Sequence, residues 1–442
     1  MKPIAPNALR DGVARGAKAS ELWLSSESRP CLFLKMLATS TLLVSSLFAF
    51  APAPQARYHI GPQSAVNRPA AQVLQRAIDL SANYLERTCG VSGKFIYQVD
   101  SDSGRLSSSY NIVRHAGAIY ALAMYNRTHP GHVEAMIRAS SYMRVNYISP
   151  DAVSHALVVW SKPVPIKSEA ALGAAGLGLA ALTATEQARS GTVPLNELRG
   201  IARFIAFLQR PDGSFSSKYD AESGPAGDWE SLYYPGEAAL GLVSLYEMDH
   251  SIEWLNGAGK ALSYLARRRA QMRVLPPDHW ALIATARFLP YYDPNICPAA
   301  RGELVAHAAR ICDTFLRQQI RNSQDARLNG GFDANGRTTP AAIRVEGLLA
   351  ALEFLPDDAM GLRTRVETAV QGGIAFLLRA QIPSGPYVGG MPESVLKTDS
   401  FAAKADPHAS EVRVDYVQHA LCAWLRYQKA LKSLGNKAPG QR

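Results

Sequence analysis

The chain has 442 residues, of which 47% are hydrophobic and 19% are charged, a balance typical of a globular protein with a large core. Its formal net charge is +10, but the basic residues are scattered and form no run of five like charges, which argues against a nucleic-acid-binding protein. The five cysteines are far apart and none forms a C-x-x-C pair, which excludes the usual zinc-ribbon and redox motifs.

Residues 1–56 are predicted to be a leader that contains a signal peptide or a membrane anchor. A short apolar run at residues 36–52 follows Arg29 and Lys35 and is followed by small residues, which is the layout of a secretory signal. The run is short for a membrane span. Because proline follows each candidate cleavage site, an uncleaved membrane tether is the alternative. We therefore expect an exported protein, periplasmic or membrane-tethered, with one domain over residues 57–435 and a flexible tail over 436–442.

Two kinds of helical segment alternate six times from residue 70 onwards. The first kind is amphipathic with a charged face, and is predicted at residues 70–88, 131–147, 194–209, 252–269, 301–319 and 360–381. The second kind is rich in Ala, Gly and Leu, and is predicted at residues 111–125, 167–183, 231–247, 278–289, 338–354 and 413–430. A helix that is apolar nearly all round is buried, whereas one with a charged face meets solvent. The alternation predicts an all-α fold, an (α/α)6 toroid of outer and inner helices.

Short turns that combine glycine with an aromatic residue follow most of the predicted outer helices. They contain the sequences Gly93-Lys-Phe95, Gly213-Ser-Phe215, Gly330-Gly-Phe332 and Gly385-Pro-Tyr387. Such turns suit hairpin-like loops, and all of them fall on the outer-to-inner side, so that they are expected on one face of the ring.

With these turns, the alternating helices resemble the α/α-toroid superfamily. That superfamily includes six-hairpin glycosidases, polysaccharide lyases and epimerases, and terpenoid cyclases with prenyltransferases. The resemblance covers roughly residues 60–435 and is architectural. Residues 209–215 match only a fragment of the repeat of squalene-type cyclases, and the acidic Asp-x-Asp-Asp motif of those cyclases is absent.

Polar residues gather at the starts of the predicted inner helices, where six helix ends would meet at one mouth above an apolar floor. Arginines and helix N-termini there favour an anionic group, and aromatic rings can stack on sugars. The expected ligand is an acidic glycan or another anion, and neither a metal nor a cofactor is expected. The predicted substrate-binding residues are Asn111, Arg114, Trp229, Asp278, His279, Trp280, Arg344, Glu346 and Arg413. The alternative is that these residues cap helices and form buried ion pairs.

Five residues are predicted to be catalytic, in two alternative chemistries. A hydrolase needs two carboxyl groups, for which Glu237 and Asp415 are the candidates, with Asp228 or Glu346 as substitutes. A lyase or epimerase needs a group that exchanges a proton, for which His115, His419 or Tyr234 is the candidate. Asp415 and His419 are four residues apart on a helix, so that their side chains share a face and an aspartate-oriented histidine is expected.

The favoured function is therefore an exported carbohydrate-active enzyme that acts on an acidic polysaccharide as a hydrolase, lyase or epimerase. The first alternative is a non-catalytic envelope protein that binds a glycan or a partner. The second alternative is a protein like the isoprenoid cyclases or transferases. An aromatic content of 8% and the missing acidic motif count against that last alternative.

Overall fold

The computed structural model describes residues 69–166, 168–356, 361–396 and 408–435. The predicted leader and the predicted tail lie outside these ranges. In the described residues, none of the helices is long and apolar enough to cross a membrane. Their twelve α-helices are α1 (Ala71–Thr88), α2 (Ile112–Asn126), α3 (Glu134–Tyr147), α4 (Leu172–Ala188), α5 (Leu195–Leu208), α6 (Tyr234–Asp249), α7 (Ile252–Arg268), α8 (His279–Phe288), α9 (Arg301–Gln318), α10 (Thr338–Ala351), α11 (Leu362–Ala380) and α12 (Val414–Gly435).

The even-numbered helices form a closed inner ring. Each packs against the next even-numbered helix along the chain, and α12 packs back against α2. The odd-numbered helices lie outside and contact the inner helices beside them. Burial follows the same division, since α4 buries every residue from Leu172 to Thr185, whereas α1 buries only one face. The prediction of an all-α toroid with six outer and six inner helices is confirmed.

Glycines let the inner helices α4 and α6 approach closely. A Cβ atom placed on Gly176 would lie 2.5 Å from the backbone nitrogen of Ala238, and one placed on Gly241 would lie 2.5 Å from the carbonyl oxygen of Gly176. Real Cβ atoms do not come so near to backbone, so that any larger residue would force the two helices apart.

The Gly–aromatic turns join neighbouring outer helices. In four of them a glycine with positive φ lies so near the next outer helix that a Cβ would fall 2.0–2.3 Å from a carbonyl oxygen of that helix. These pairs are Gly93 with Arg138, Gly213 with Lys260, Gly330 with Gly372 and Gly389 with Leu80. Because Leu80 belongs to α1, the last pair closes the outer ring. Side-chain amides also link neighbouring outer helices. Gln319, which follows α9, donates a hydrogen bond to the carbonyl oxygen of Ala369 on α11 at 2.7 Å.

Short antiparallel strands lie in the connections between helices. Strand β1 (Gln98–Asp100) pairs with β7 (Glu411–Arg413), and β2 (Ile148–Asp151) pairs with β3 (Ala156–Val159). A third sheet has the order β4 (Glu169–Ala171), β5 (Lys218–Asp220) and β6 (Gly224–Ala226).

The fourth helix begins later than the sequence predicts. It was expected from residue 167, but residues 169–171 pair as strand β4, and α4 begins at Leu172.

Candidate functional site

Three inner helices bring two imidazoles and a carboxylate together inside the ring. His279 is the first residue of α8, Glu346 lies on α10 and His419 lies on α12. The two imidazole rings are 5.4 Å apart between centroids and nearly perpendicular. Glu346 Oε2 lies 3.0 Å from His419 Nδ1. His279 and Glu346 are 1% and 0% exposed, so that this part of the predicted mouth is nearly closed to solvent.

His279 has two free ring nitrogens in a buried position. Neither nitrogen has a hydrogen-bond partner among the described residues. Burial lowers the pKa of His279 well below its ordinary value, and the nearby positive charges of Arg344 and Arg426 lower it further, as does His419. The imidazole is therefore neutral at pH 7, with one nitrogen able to accept a proton. An unsatisfied buried polar group costs about 1–3 kcal/mol, so that such a residue needs an explanation beyond stability.

Glu346 orients His419. A hydrogen bond from Nδ1–H of His419 to Glu346 Oε2 leaves Nε2 as the reactive nitrogen of the ring. The other carboxylate oxygen, Oε1, lies 3.9 Å from Nε of Arg426, which is an ion pair too long for a hydrogen bond. The side chain of His419 is 12% exposed and is the member of this cluster that reaches solvent.

Glu237 is a second buried carboxyl group, on α6. Its Oε2 has no hydrogen-bond partner among the described residues. Burial raises the pKa of Glu237 well above its ordinary value, and the charge of Asp278 adds to the effect. A Cβ placed on Gly173 would lie 2.4 Å from Glu237 Oε2 and 2.3 Å from the ring of Tyr234, so that the glycine provides the room for both side chains.

Asp278 and Trp280 hold the start of α8 in place. Asp278 is the N-cap of the helix, accepting a hydrogen bond from the backbone N–H of Ala281 at 3.0 Å, and it also pairs with Arg269 at 2.9 Å. Trp280 is buried, and its ring lies 4.7 Å from that of His279 and 5.9 Å from that of His419. Asp278 thus has the capping role that was the alternative to substrate binding, and it positions the adjacent His279.

Asp415 lies between two arginines. Arg413 donates to both of its oxygens, at 2.6 and 3.0 Å, and Arg114 Nε lies 3.2 Å from Oδ2. Burial alone would raise the pKa of Asp415, but the two guanidinium groups hold it below its ordinary value. The expected pairing of Asp415 with His419 is therefore replaced by an ion network, and Glu346 orients the histidine instead.

His115 faces away from the cluster, towards the outer helix α3. Its Nε2 lies 2.9 Å from the carbonyl oxygen of Ala139, and its Nδ1 lies 2.7 Å from the hydroxyl of Tyr110. Burial lowers the pKa of His115 to about 4, so that it too is neutral at pH 7. Both nitrogens have partners, unlike those of His279. Nearby, Asn111 caps α2 by accepting hydrogen bonds from the first turn of the helix.

The remaining predicted residues lie at the rim of the ring. Arg344 donates to Gln318 of α9 at 2.8 Å and lies over the rings of Phe315 and Phe332, so that it points towards the outer layer. Trp229 is 51% exposed and lies edge-on to Tyr234.

Tyr234 keeps its phenolic proton at neutral pH. Burial raises the pKa of Tyr234 to about 12, so that it is protonated at pH 7.

The cluster of His279, Glu346 and His419 is also the set of described residues whose donor atoms could surround a metal ion. These atoms lie within 4.8 Å of one another, and two imidazoles with a carboxylate suit Zn²⁺ or Fe²⁺. The positive charges of Arg344 and Arg426 act on the same imidazole and disfavour a cation. The absence of a metal stays a prediction.

Some residues of the site were not singled out from the sequence. Arg426 is a lone charge in the apolar stretch Ala420–Leu425 and Tyr427, a signal that was available. Arg269 follows the end of an outer helix among other arginines, and nothing local marks it as the partner of Asp278.

Comparison with known proteins gives a structural result only. No protein-family model and no curated protein sequence matches the chain. Solved structures do match. A sugar epimerase from a ruminal bacterium is 12% identical with a TM-score of 0.60, and the match covers 81% of this chain and 98% of that one. A cellobiose 2-epimerase from Spirochaeta thermophila is 15% identical with a TM-score of 0.56, and the match covers 82% of this chain and 99% of that one. An unsaturated glucuronyl hydrolase specific for heparin also matches, with 12% identity and a TM-score of 0.53 over 82% of this chain and 98% of that one. At such low identity the likeness shows the fold alone, which is an α/α toroid.

Proposed function

We propose that the chain is a carbohydrate-active enzyme that moves a proton at the carbon next to a sugar carbonyl, as an epimerase or isomerase does. The observation that carries the proposal is the pair of neighbouring imidazoles, of which His279 is neutral and free of hydrogen bonds and His419 is oriented by a carboxylate. Two of the structurally similar proteins are a sugar epimerase and a cellobiose 2-epimerase, which supports this choice of chemistry.

In this mechanism the two imidazoles act as general base and general acid. A neutral imidazole takes the proton from the carbon next to the open-chain carbonyl, and the C–H electron pair moves into a carbon–carbon double bond as the carbonyl oxygen becomes an enediolate. The other imidazole, which enters the reaction as an imidazolium, returns a proton to carbon and becomes neutral, and the carbonyl is restored. Glu346 stabilises the imidazolium form of His419 through their hydrogen bond.

Glu237 is suited to stabilise the enediolate oxygen. Its raised pKa favours the protonated form, which has an O–H to donate. Its backbone N–H donates to the carbonyl oxygen of Tyr233 at 3.0 Å, and the ring of Tyr233 packs 5.3 Å from that of His279. A proton donor aimed at a developing negative charge is worth several kcal/mol in a buried site, about 3–4 kcal/mol for one oxyanion-hole donor.

Hydrolysis has weaker support because it needs two available carboxyl groups. Asp278 is held by Arg269 and by the helix cap, and Asp415 is held by Arg114 and Arg413. Glu346 is bonded to His419 through Oε2 and forms a long ion pair with Arg426 through Oε1, so that Glu237 is the one member of these four without an ion-pair partner among the described residues. The unsatisfied nitrogens of His279 also count against a protein that only binds glycans, since binding alone does not require them.

An acidic substrate and export remain proposals. The charges of Arg114 and Arg413 are partly neutralised by Asp415, so that a neutral reducing sugar is the first substrate to test and a uronic acid the second. The similar glucuronyl hydrolase supports testing the uronic acid. A periplasmic or membrane-tethered location rests on the sequence of residues 1–56 alone.

The experiment is to incubate the purified protein with cellobiose, mannose, glucose and galacturonic acid and to follow the products by NMR. We expect conversion of at least one sugar into an epimer or ketose isomer, with a loss of about 10²-fold or more for His279→Ala and for His419→Ala. His132→Ala, an exposed residue in the loop before α3, is the matched control and should keep full activity. Release of sugar from polysaccharides, with no isomer formed and both histidine variants active, would reject the proposal.

A further inference from the structure

The opposite end of the inner ring contains a cavity that the proposed chemistry does not use. Its volume is about 510 Å³, and it is lined by the C-terminal halves of α2, α6, α8 and α12. The acid–base cluster lies towards the other ends of these inner helices, since His279 is the first residue of α8. A volume of this size falls within the range of small-molecule pockets.

Positive side chains predominate in the wall of the cavity. Among the described residues that line it, the carboxylates are Glu247 and Glu353, against five cationic residues, Arg127, Arg287, Arg426, Lys429 and Lys432. Glu247 forms an ion pair with Arg287, whose Nε lies 2.8 Å from Oε1 of the glutamate. Glu353 is shared between Arg426 at 3.7 Å and Lys429 at 3.6 Å. Among the described residues, neither Arg127 nor Lys432 forms an ion pair with a carboxylate, so that the cavity has an excess of positive charge.

Three guanidinium groups line this cavity together with Tyr120. They belong to Arg127, Arg287 and Arg426. Partial burial of its guanidinium group lowers the pKa of Arg127, the charges of Arg287 and Arg426 lower it further, and Glu247 acts in the opposite direction. Like charges that line one cavity repel one another, and a bound anion would reduce the repulsion.

Basic residues at helix C-termini often just complement the helix dipole, which is the simpler explanation to exclude. Such residues would donate to the last carbonyl oxygens of a helix. Arg127 instead donates to the side chain of Gln187 at 2.8 Å, and Arg287 to the side chain of Glu247. In the described residues, the two arginines therefore donate to side chains and not to the terminal carbonyl oxygens of a helix, which argues against the simpler explanation.

We propose that this cavity binds a small anionic molecule about the size of a sugar phosphate, through a phosphate or carboxylate group. Planar guanidinium groups bind such oxyanions with paired hydrogen bonds, and lysines add charge. The body of the ligand would lie against Tyr120 and Tyr291, which line the same cavity. The site does not depend on the proposed epimerase chemistry.

Arg426 is not the residue with which to test this site. Its Nε lies 3.9 Å from Glu346 Oε1, so that its removal would also disturb the acid–base cluster. Arg127 and Lys432 are exposed at the edge of the cavity and far better suited, because neither has a carboxylate that a substitution would leave unpaired.

The test is isothermal titration calorimetry at fixed ionic strength, with glucose 6-phosphate, inorganic phosphate and glucose as the three probes. We expect one glucose 6-phosphate site per chain, weaker binding of inorganic phosphate, and no binding of glucose at this site. The double variant Arg127→Gln/Lys432→Gln should bind glucose 6-phosphate at least tenfold more weakly. Arg76→Gln, an exposed arginine on α1, is the matched control and should bind as the unmodified protein does.

The same titration separates this site from the acid–base cluster. His279→Ala should still bind glucose 6-phosphate with unchanged affinity. Absence of phosphate and glucose 6-phosphate binding, equal binding by the double variant with an unchanged unfolding midpoint, or loss of binding in His279→Ala would each overturn the proposal. Failure of the proposed epimerase activity would leave the result of this titration unaffected.

Discussion

At the scale of single residues, two histidines of the same chain show opposite hydrogen-bonding patterns. His115 is bonded at both nitrogens, to Tyr110 and Ala139, and contributes to the packing between α2 and α3. His279 is equally buried and is bonded at neither. A buried polar group without partners is kept at a cost to stability, whereas one with partners is not. The difference marks His279 as a residue retained for its chemistry.

This contrast predicts opposite effects of the same substitution on stability. His279→Leu removes two unsatisfied nitrogens, so that the free energy of unfolding should stay unchanged or rise by about 1–2 kcal/mol, while activity is lost. His115→Leu breaks two hydrogen bonds and leaves the hydroxyl of Tyr110 without this partner, so that the free energy of unfolding should fall by about 1–3 kcal/mol. Urea unfolding of the two variants measures the difference. Equal destabilisation by both would show that His279 has a structural role.

The buried carboxyl of Glu237 predicts how stability depends on pH. Its pKa is raised in the folded state above the ordinary value of 4.5, so that the folded chain holds a proton that the unfolded chain has lost. Stability should therefore fall as the pH rises from about 4.5 towards the pKa of the folded state. Glu237→Gln removes this penalty, and its gain in stability over the unmodified protein should grow with pH across that range.

Unfolding free energies measured from pH 4 upwards test this expectation. Glu134→Gln, an exposed glutamate on α3, is the control and should show a difference that does not change with pH. A gain for Glu237→Gln that is the same at every pH would mean that Glu237 ionises normally in the folded protein.

At the scale of helices, composition and periodicity were enough to place all twelve helices but none of the seven short strands. The sequence predicted the outer and inner helices close to their observed bounds, because charged faces and Ala/Gly-rich stretches report burial directly. The start of α4 was missed because residues 169–171 pair with β5, a contact distant in sequence. Local propensity does not contain that information.

The direction in which inner-helix residues point was harder to predict. Arg114 and His115 are adjacent, and one joins the network around Asp415 while the other faces α3. Neighbouring residues on a helix point about 100° apart. An inner helix is apolar on almost every side, so that its pattern does not reveal which side faces the ring axis. For this reason the sequence pattern predicted the same role for His115 and His419, although His115 contacts α3 and His419 contacts Glu346.

The turns that link the outer helices give a prediction at this scale. Gly330 has φ +88°, and a Cβ there would lie 2.1 Å from the carbonyl oxygen of Gly372, whereas Gly385 has φ +83° and nothing within 4 Å. Gly385→Ala should cost only the backbone strain of about 1–2 kcal/mol. Gly330→Ala adds a backbone clash and should cost at least about twice as much. Equal costs, measured by urea unfolding, would contradict the role of Gly330 in joining α9 to α11.

At the scale of the whole molecule, the ring has two chemically different ends. The expected open, polar mouth at the helix starts is partly filled, because Tyr233, Tyr234 and Trp280 pack over the buried carboxyl and imidazole groups. The cavity of about 510 Å³ lies at the other end, beside the converging arginines. The sequence predicted the ring, but it did not predict which end is filled by side chains and which end contains the cavity. The space left at the ring axis depends on side chains from all six inner helices together.

The central claim is that the buried imidazole pair moves a proton to and from carbon. The most direct measurement is sugar turnover in D₂O, followed by NMR, which reports whether solvent deuterium appears on the carbon next to the carbonyl. The account predicts deuterium at that carbon in product formed by the unmodified protein, and none above background with His279→Leu. Product formed without any deuterium at that carbon, or equal exchange by the variant, would contradict it.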